Sequence, residues 1–131
     1  MQGKRLVLRA EADREIDAAR DHYMAEGGFD IADGFIEALE AAFRHVSLHP
    51  GTGSPRYGHK LSVPGLRSWG LPRFPSMVFY IDMPDHIDVV RVLHSAMDLT
   101  EVLPLQFGSK GLLMEPAAAY AVESRAEWDL Q

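Results

Sequence analysis

The sequence predicts an α+β domain in which a pair of helices packs against a small antiparallel sheet. Three observations support this prediction. Apolar residues recur at helical spacing from residue 11 to residue 48, and they alternate at the two-residue period of strands from residue 66 to residue 94. A stretch rich in glycine and proline separates the two regions. A run of helices followed by a run of strands is typical of the α+β class.

The first elements are a short strand and a helix. Residues 4–9 (KRLVLR) predict the strand, because Val7 faces away from the leucines on either side of it. From Glu11 onward, apolar residues fall at helical spacing and acids occupy the far face. The apolar stripe consists of Ala12, Ile16, Ala19 and Tyr23. Gly27-Gly28 ends this helix, because glycine readily takes the left-handed conformation found at helix ends.

A second helix is predicted over residues 31–48, where the apolar positions again form one face. These positions are Ala32, Phe35, Ile36, Leu39, Ala42, Phe43 and Val46. Pro50-Gly51 follows and terminates the helix. Because only a short glycine turn joins the two helices, they are expected to pack antiparallel as a hairpin.

Three strands are predicted after a loop at residues 50–65, which holds three prolines and four glycines. The strands cover residues 66–71, 76–82 and 87–94, and proline-containing turns join them into an antiparallel meander. The middle strand is apolar on both faces, which suits a central strand. One face carries Met77, Phe79 and Ile81, and the other carries Val78 and Tyr80. The element order is therefore β-α-α-β-β-β.

The pattern weakens towards the C-terminus. Residues 98–105 could form a short helix, residues 108–111 resemble a linker, and residues 116–128 could form an alanine-rich helix. The end of the chain could equally be an unstructured or vector-derived tail. We therefore expect a folded domain over residues 1–107 and a flexible or weakly helical tail over residues 108–131.

Composition narrows the classes of function. The chain has 131 residues, which fits a single domain, and 47% of them are hydrophobic, which argues against disorder. It has no cysteine, so disulfides, a thiolate nucleophile and a zinc–cysteine site are excluded. Apolar runs such as residues 77–81 are far too short to span a membrane, and no secretory signal is recognisable. A cytoplasmic location without membrane association is expected.

The charge is unevenly distributed along the chain. The net charge of −6 disfavours binding to nucleic acid through counterion release. Residues 10–40 contain ten acids but only two arginines, whereas residues 41–81 contain no acid and five basic residues. The basic middle of the chain can still attract an acidic partner protein, or nucleic acid locally. Alternatively, the helices simply carry solvated acids.

No motif in the sequence is specific for a cofactor or a metal. His45 and His49 have the four-residue spacing of a helical metal pair, but no third ligand is apparent, so no metal site is expected. Neither a phosphate-binding loop nor a nucleophile elbow is recognisable in the sequence.

A set of basic and aromatic residues on the predicted meander could cleave RNA, with a histidine as acid or base and arginines to neutralise phosphate charge. The set is Arg67, Arg73, Tyr80, Arg91 and His94. Arg91 and His94 have opposite parity on their strand, so both cannot face the same groove. By this reasoning at most part of the set is assembled.

Four segments of the chain together resemble the ParE toxins of type II toxin–antitoxin systems, which belong to the ParE/RelE superfamily. The segments are HPGTGSPR at 49–56, PGLRS at 64–68, VFY at 78–80 and VRVLHSAMDL at 90–99. They occur in the expected order, and the resemblance extends over about residues 5–105. It implies a RelE/ParE-like toxin fold that uses no cofactor.

The resemblance implies a toxin that a ParD-like antitoxin neutralises in a hetero-oligomer, by wrapping a helix-bearing C-terminal segment around it. The activity usually ascribed to such toxins is to poison DNA gyrase and block replication, with no catalytic step and no sequence-specific contact with nucleic acid. The antitoxin is expected to dock partly through desolvated arginine–carboxylate pairs. The arginines expected to make them are Arg56, Arg67, Arg73 and Arg91.

Two alternatives remain open. The RelE branch of the superfamily cleaves ribosome-bound messenger RNA with basic and tyrosine or histidine residues, and the set on the meander would then be catalytic. Arginines common in these toxins before VFY and after Ser95-Ala96 are replaced here by Met77 and Met97. The first replacement weakens the nuclease interpretation, and the second bears on the strength of a gyrase toxin. A toxin-like protein that only binds its antitoxin is the other alternative.

Overall fold

The computed structural model describes residues 3–96 and the short strand at Ala126–Trp128. In chain order the elements are β1 (Leu6–Leu8), α1 (Ala10–Leu48), a 3-10 turn (Pro50–Thr52), α2 (Arg56–Leu61), β2 (Leu66–Gly70), β3 (Ser76–Asp82), β4 (Ile87–His94) and β5 (Ala126–Trp128). The α+β class predicted from the sequence is confirmed. Within these residues, no helix combines the length and the apolar character needed to cross a membrane.

Helix α1 reverses direction at the predicted glycines. Gly28 has φ 81° and ψ −167°, a backbone conformation that side chains other than glycine rarely adopt. The ring centroids of Tyr23 and Phe35 lie 5.2 Å apart, whereas a straight helix would separate these positions by about 18 Å. The halves of α1 on either side of Gly28 therefore lie side by side. The predicted hairpin is matched in part, because the break is confined to Gly28 and no separate loop follows it.

The strands form one sheet with the order β2-β3-β4-β1-β5. β2, β3 and β4 pair antiparallel as the predicted meander requires, but the meander is only part of this larger sheet. β1 runs parallel to β4, with Leu6 opposite Ile87 and Leu8 opposite Val89. The bounds of β3 and β4 are those predicted, whereas β1 and β2 are shorter than predicted.

The sheet separates two apolar cores. On the face covered by α1, Val78 and Tyr80 of β3 pack with helix residues such as Phe43. On the opposite face, Phe79 and Ile81 pack against residues of α2 and of the segment that follows it. The predicted division of β3 into two apolar faces is confirmed. α1 and α2 therefore lie on opposite sides of the sheet.

The interpretation of residues 50–65 as a loop is wrong at its centre, because Arg56–Leu61 form α2. Gly58 serves packing here and does not break the helix, since a Cβ at this position would lie 2.6 Å from the Leu66 carbonyl oxygen. The helix ends at Ser62, whose left-handed backbone (φ 57°) lets its N–H bond the last helical carbonyls. The backbone of α2 therefore packs directly against the start of β2.

The prediction for the C-terminus is wrong at the three residues that the structure describes there. Ala126–Trp128 form β5 and pair antiparallel with β1, so they do not belong to an alanine-rich helix. The predicted helix over residues 98–105 and the linker at 108–111 lie outside the described residues. The division into a domain over 1–107 and a tail over 108–131 stays a prediction.

Candidate functional site

Tyr80 holds the segment after α1 against the sheet, and its side chain is fully buried. Its hydroxyl donates a hydrogen bond to the Pro50 carbonyl oxygen at 2.6 Å and accepts one from the Gly53 N–H at 3.1 Å. Burial raises the pKa of Tyr80, so the hydroxyl stays protonated and keeps donating. Glycine is required at 53, since an added Cβ would lie 2.2 Å from the tyrosine oxygen. Residues 50–56, held in this way, are called the clamped turn.

Arg67 completes the clamped turn. Its Nη1 donates a hydrogen bond to the Gly53 carbonyl oxygen at 2.7 Å, and Arg67 is the cross-strand partner of Tyr80. Ser54 pairs with Ser68 of β2 through two backbone hydrogen bonds of 2.9 and 3.0 Å. The segments HPGTGSPR, PGLRS and VFY, which lie apart in the sequence, are therefore three parts of one hydrogen-bonded structure.

The clamped turn leads into an exposed basic surface on α2. Arg56 is exposed, and its guanidinium lies 5.4 Å from the centroid of the Tyr57 ring. His59 and Lys60 are exposed on the same helix. A cavity of about 150 Å³ lies between α2 and β2, and Arg67 is among its lining residues. Arg56, His59, Lys60 and Arg67 are called the basic surface.

Arg73 lies in the turn between β2 and β3, at the opposite end of β2 from the basic surface. It is exposed and has a left-handed backbone with φ 67°, which a residue other than glycine adopts at some cost. The next residue, Phe74, makes edge-to-face ring contacts with Tyr23 at 5.1 Å and with Phe35 at 5.7 Å. These contacts dock the turn on α1 and present Arg73 to solvent.

Arg91 is bound within the protein. Its Nε donates a hydrogen bond of 2.8 Å to Glu15 Oε2, and its Nη2 contacts the same oxygen. The other carboxylate oxygen of Glu15 accepts a hydrogen bond of 2.9 Å from the Val92 N–H. Glu15 of α1 therefore contacts the part of β4 that is not paired with β1.

The five residues of the alternative nuclease site do not form one group. Arg67 and Tyr80 are neighbours, but His94 is exposed at the end of β4 opposite Ser76. Ser76 lies four positions before Tyr80 on β3, which places His94 about 13 Å along the sheet from Tyr80. The Nδ1 of His94 accepts a hydrogen bond from the Ala96 N–H at 3.0 Å. Arg73 lies at the other end of β2, and Arg91 is bound to Glu15 as described above.

Of the two methionines that depart from the family pattern, Met77 lies within the described residues. Met77 is half buried and packs against the core on the α2 side of the sheet. Its side chain therefore fills space where an arginine would bring charge. Met97 lies outside the described residues.

His45 and His49 are engaged in contacts that differ from a metal site. The ring of His45 stacks on Trp69 with centroids 3.9 Å apart, and its Nε2 lies 2.8 Å from the Thr52 hydroxyl. The His49 ring lies 5.4 Å from that of His45. In the part of the chain that the structure describes, no group of three or more metal-ligating side chains comes together.

Sequence reasoning missed the structural roles of Glu15 and Gly53. Glu15 was expected to be one of many solvated acids, although its place three residues after Ala12, beside the apolar stripe, is a signal that it borders the buried face. Gly53 was interpreted only as a breaker of structure. A buried ion pair was missed as well: Arg9 Nη2 lies 2.9 Å from Asp88 Oδ2 and joins β1 to β4.

Comparison with known proteins identifies this arrangement. The model of the ParE toxin of type II toxin–antitoxin systems, parDE, matches residues 6–99, which span β1 to the end of β4. The chain is also similar to a solved structure of the chromosomal ParDE TA system from P. aeruginosa, with 23% identity and a TM-score of 0.58 over 68% of this chain and 92% of that one. At this identity the likeness shows the fold. No curated protein matches the chain. The chain therefore belongs to the ParE toxin family of type II toxin–antitoxin systems.

Proposed function

We propose that this protein is the toxin partner of a ParD-like antitoxin, and that in its free form it poisons DNA gyrase in the cytoplasm and blocks replication without a catalytic step. The observation that carries the proposal is the family match over residues 6–99, which includes the clamped turn and every strand of the meander. The similar structure from P. aeruginosa is a ParDE system, which supports an antitoxin partnership.

The basic surface supports docking of an acidic antitoxin segment. Arg67 is half buried, borders the cavity between α2 and β2 and is held by its bond to the Gly53 carbonyl oxygen, so a carboxylate that reaches its guanidinium would meet it partly away from bulk water. Charge-assisted hydrogen bonds are strong in such surroundings. Val63 and Leu66 supply apolar lining to the same cavity. A segment that alternates acidic and apolar side chains therefore fits this surface.

Arg73 and Arg91 differ as antitoxin contacts. Arg73 is exposed at a turn, where an incoming carboxylate meets no competing partner in the described contacts. Arg91 is bound to Glu15, so it can serve the antitoxin only if an incoming carboxylate takes the place of Glu15. We therefore rank Arg67 and Arg73 above Arg91 as binding residues.

The states of Tyr80, Arg91 and Met77 favour the non-catalytic function over RNA cleavage. Tyr80 is buried and both bonds of its hydroxyl are used within the clamped turn. Burial raises the pKa of Tyr80, which makes it a poorer acid. Arg91 is neutralised by Glu15, and Met77 can neither donate a hydrogen bond nor neutralise a phosphate.

Expression of the full chain without an antitoxin tests the proposed activity. We expect filamentation and DNA-damage signalling while translation continues, and inhibition of supercoiling when the purified protein is added to gyrase. Ribosome-dependent cleavage of messenger RNA by the purified protein would contradict the proposal in favour of the RelE-like activity. Normal growth together with tight antitoxin binding would identify the protein as a non-toxic relative.

Calorimetry with the protein encoded by the adjacent short reading frame tests the antitoxin surface. Arg67→Ala and Arg73→Ala are each expected to weaken binding by about 1–3 kcal/mol, because a carboxylate loses its charged partner. Arg14→Ala is the matched control, since Arg14 is exposed on α1 and belongs neither to the basic surface nor to the turn between β2 and β3. Unchanged affinity in both test variants would place the antitoxin elsewhere.

A further inference from the structure

The reversal in α1 carries exposed apolar side chains. Met24, Phe29 and Ile31 are 41%, 76% and 43% exposed, and they are the large apolar residues classed as exposed among those the structure describes. All three lie within a few residues of Gly28, where the helix turns back. These three residues are called the hairpin tip. Exposed apolar groups gathered at one place mark interaction sites more often than chance exposure.

The fold does not require these side chains to be apolar. Phe29 belongs to neither core cluster, whereas Phe35, six residues later, is fully buried in the core beneath α1. Ile31 lies over Gly27, where a Cβ would come within 2.4 Å of its side chain. Gly27 therefore leaves room for Ile31 to spread over the turn and remain exposed.

The charged residues around the hairpin tip indicate which kind of partner segment it can bind. Residues 21–43 contain six acids and no lysine or arginine. Glu26, Asp30 and Asp33 are exposed beside the apolar residues. Arg20, the nearest arginine along the sequence, lies 3.4 Å from Asp17 and 3.8 Å from Asp21, and Arg73 is exposed next to Phe74, whose ring contacts Tyr23 and Phe35. An apolar patch rimmed by acids is complementary to a segment that carries lysine or arginine beside leucine or phenylalanine.

Other occupants fit this patch less well. A second copy that met it tip to tip would place acids against acids. A second copy that offered its basic surface would make a head-to-tail contact, which builds rings or open chains of molecules rather than a two-fold dimer. Residues 97–125 of the chain itself carry four acids and two basic residues, so they do not complement the tip. An anionic membrane would be repelled by the same acids.

We propose that the hairpin tip binds a partner protein through a cationic amphipathic segment, at a site separate from the basic surface. The two surfaces have opposite charge, and Arg56, His59 and Lys60 of the basic surface lie on α2, across the sheet from α1. They therefore select segments of opposite charge. The inference does not depend on gyrase being the target.

The test uses the full-length protein and a fluorescein-labelled helical peptide of lysine and leucine, with binding followed by fluorescence anisotropy at physiological salt. Phe29→Ser is expected to weaken binding by about tenfold or more, since it removes the central apolar contact. Asp30→Lys is expected to weaken it by a similar factor. Because Phe29 is largely exposed, Phe29→Ser should leave the melting temperature unchanged, which shows that the variant is folded.

Matched controls separate a site from general attraction between opposite charges. Glu37→Lys makes the same charge change at an exposed position farther along α1 and is expected to alter binding less than about threefold. A peptide with glutamate in place of lysine should not bind. The proposal is overturned if the lysine–leucine peptide does not bind, if Phe29→Ser binds it like the wild type, or if Glu37→Lys weakens binding as much as Asp30→Lys. Self-association that Phe29→Ser abolishes would also overturn it, in favour of a second copy.

Discussion

The clamped turn and the hairpin tip are both places where the chain changes direction, yet they are built in opposite ways. In the clamped turn, Tyr80 and Arg67 make three hydrogen bonds to an irregular backbone, and one glycine is needed to admit the tyrosine hydroxyl. At the hairpin tip the chain reverses through the backbone of Gly28, and Phe29 remains 76% exposed.

The difference shows which residues serve the fold and which are left for a partner. An irregular segment must satisfy its buried backbone groups with particular side chains, so its residues are determined from inside the protein. At the hairpin tip the exposed side chains make no such contribution. Mutations should therefore divide sharply between the two regions, with large losses of stability in one and almost none in the other.

Gly53→Ala is expected to give the largest loss. The added Cβ would lie 2.2 Å from the Tyr80 oxygen, so the turn must move and break its hydrogen bonds, at a cost of about 3 kcal/mol in the free energy of unfolding. Urea denaturation measures this. Gly51→Ala is the matched control, because nothing lies within 4 Å of a Cβ there. Equal stability of the two variants would show that the turn is not clamped.

Tyr80→Phe is expected to cost less, about 2 kcal/mol, because the ring still packs while the Pro50 carbonyl and the Gly53 N–H lose their partner. Chemical denaturation of the variant and the wild type at neutral pH gives the difference. Tyr57→Phe serves as control, since Tyr57 makes a ring contact with Phe79 that the substitution preserves. A loss as small as that of the control would mean that the hydroxyl does not hold the turn.

The stabilising effect of Tyr80 should also depend on pH. Its pKa is raised in the folded protein, so above a pH of about 10 the unfolded chain releases this proton before the folded one does. The contribution of the hydroxyl is complete below that pH and is lost as the pH rises through the raised pKa. The stability difference between wild type and Tyr80→Phe should therefore shrink in strongly alkaline buffer, as measured by unfolding at a series of pH values. A stability difference that stays constant over this pH range would contradict the conclusion that the Tyr80 hydroxyl is buried and protonated.

Glu15→Ala is expected to give the smallest of these losses, about 1.5 kcal/mol, because it removes the carboxylate from Arg91 and from the Val92 N–H. Glu26→Ala at the hairpin end of the same helix should change stability by less than about 0.5 kcal/mol. Thermal unfolding of the two variants compares an acid that the fold uses with one that it leaves exposed. If both behave alike, the contact between Glu15 and Arg91 is worth little in solution.

Local patterns in the sequence were sufficient to predict the meander. β3 and β4 have the predicted bounds because strand alternation and the turn residues around Pro84 are local signals. The reversal at Gly28 was predictable for the same reason. α2 was missed because its flanking prolines and Gly58 resemble a loop, and only the contact of Gly58 with Leu66 explains why a helix forms there.

Contacts between distant parts of the chain were not predictable. Nothing near Leu6 in the sequence indicates that it pairs with β4, or that β5 pairs with β1 on its other side. The same holds for Glu15 and Arg91, which meet only because α1 crosses the end of β4. The arginine site could be assembled from the sequence only as a set of candidates, because strand parity does not show which guanidinium is already bound by an acid.

The position of β1 affects when a newly made chain can fold. Leu6 pairs with Ile87, about eighty residues later, so the sheet cannot close until nearly all of the family domain has left the ribosome. Topologies with such distant pairings fold slowly. Until β4 emerges, the apolar face of α1 has no sheet to cover it, and the nascent chain is exposed to chaperones and proteases. Synthesis therefore delivers the chain in an unfinished state, and the sheet on which the fold depends closes only when its last central strand has been made.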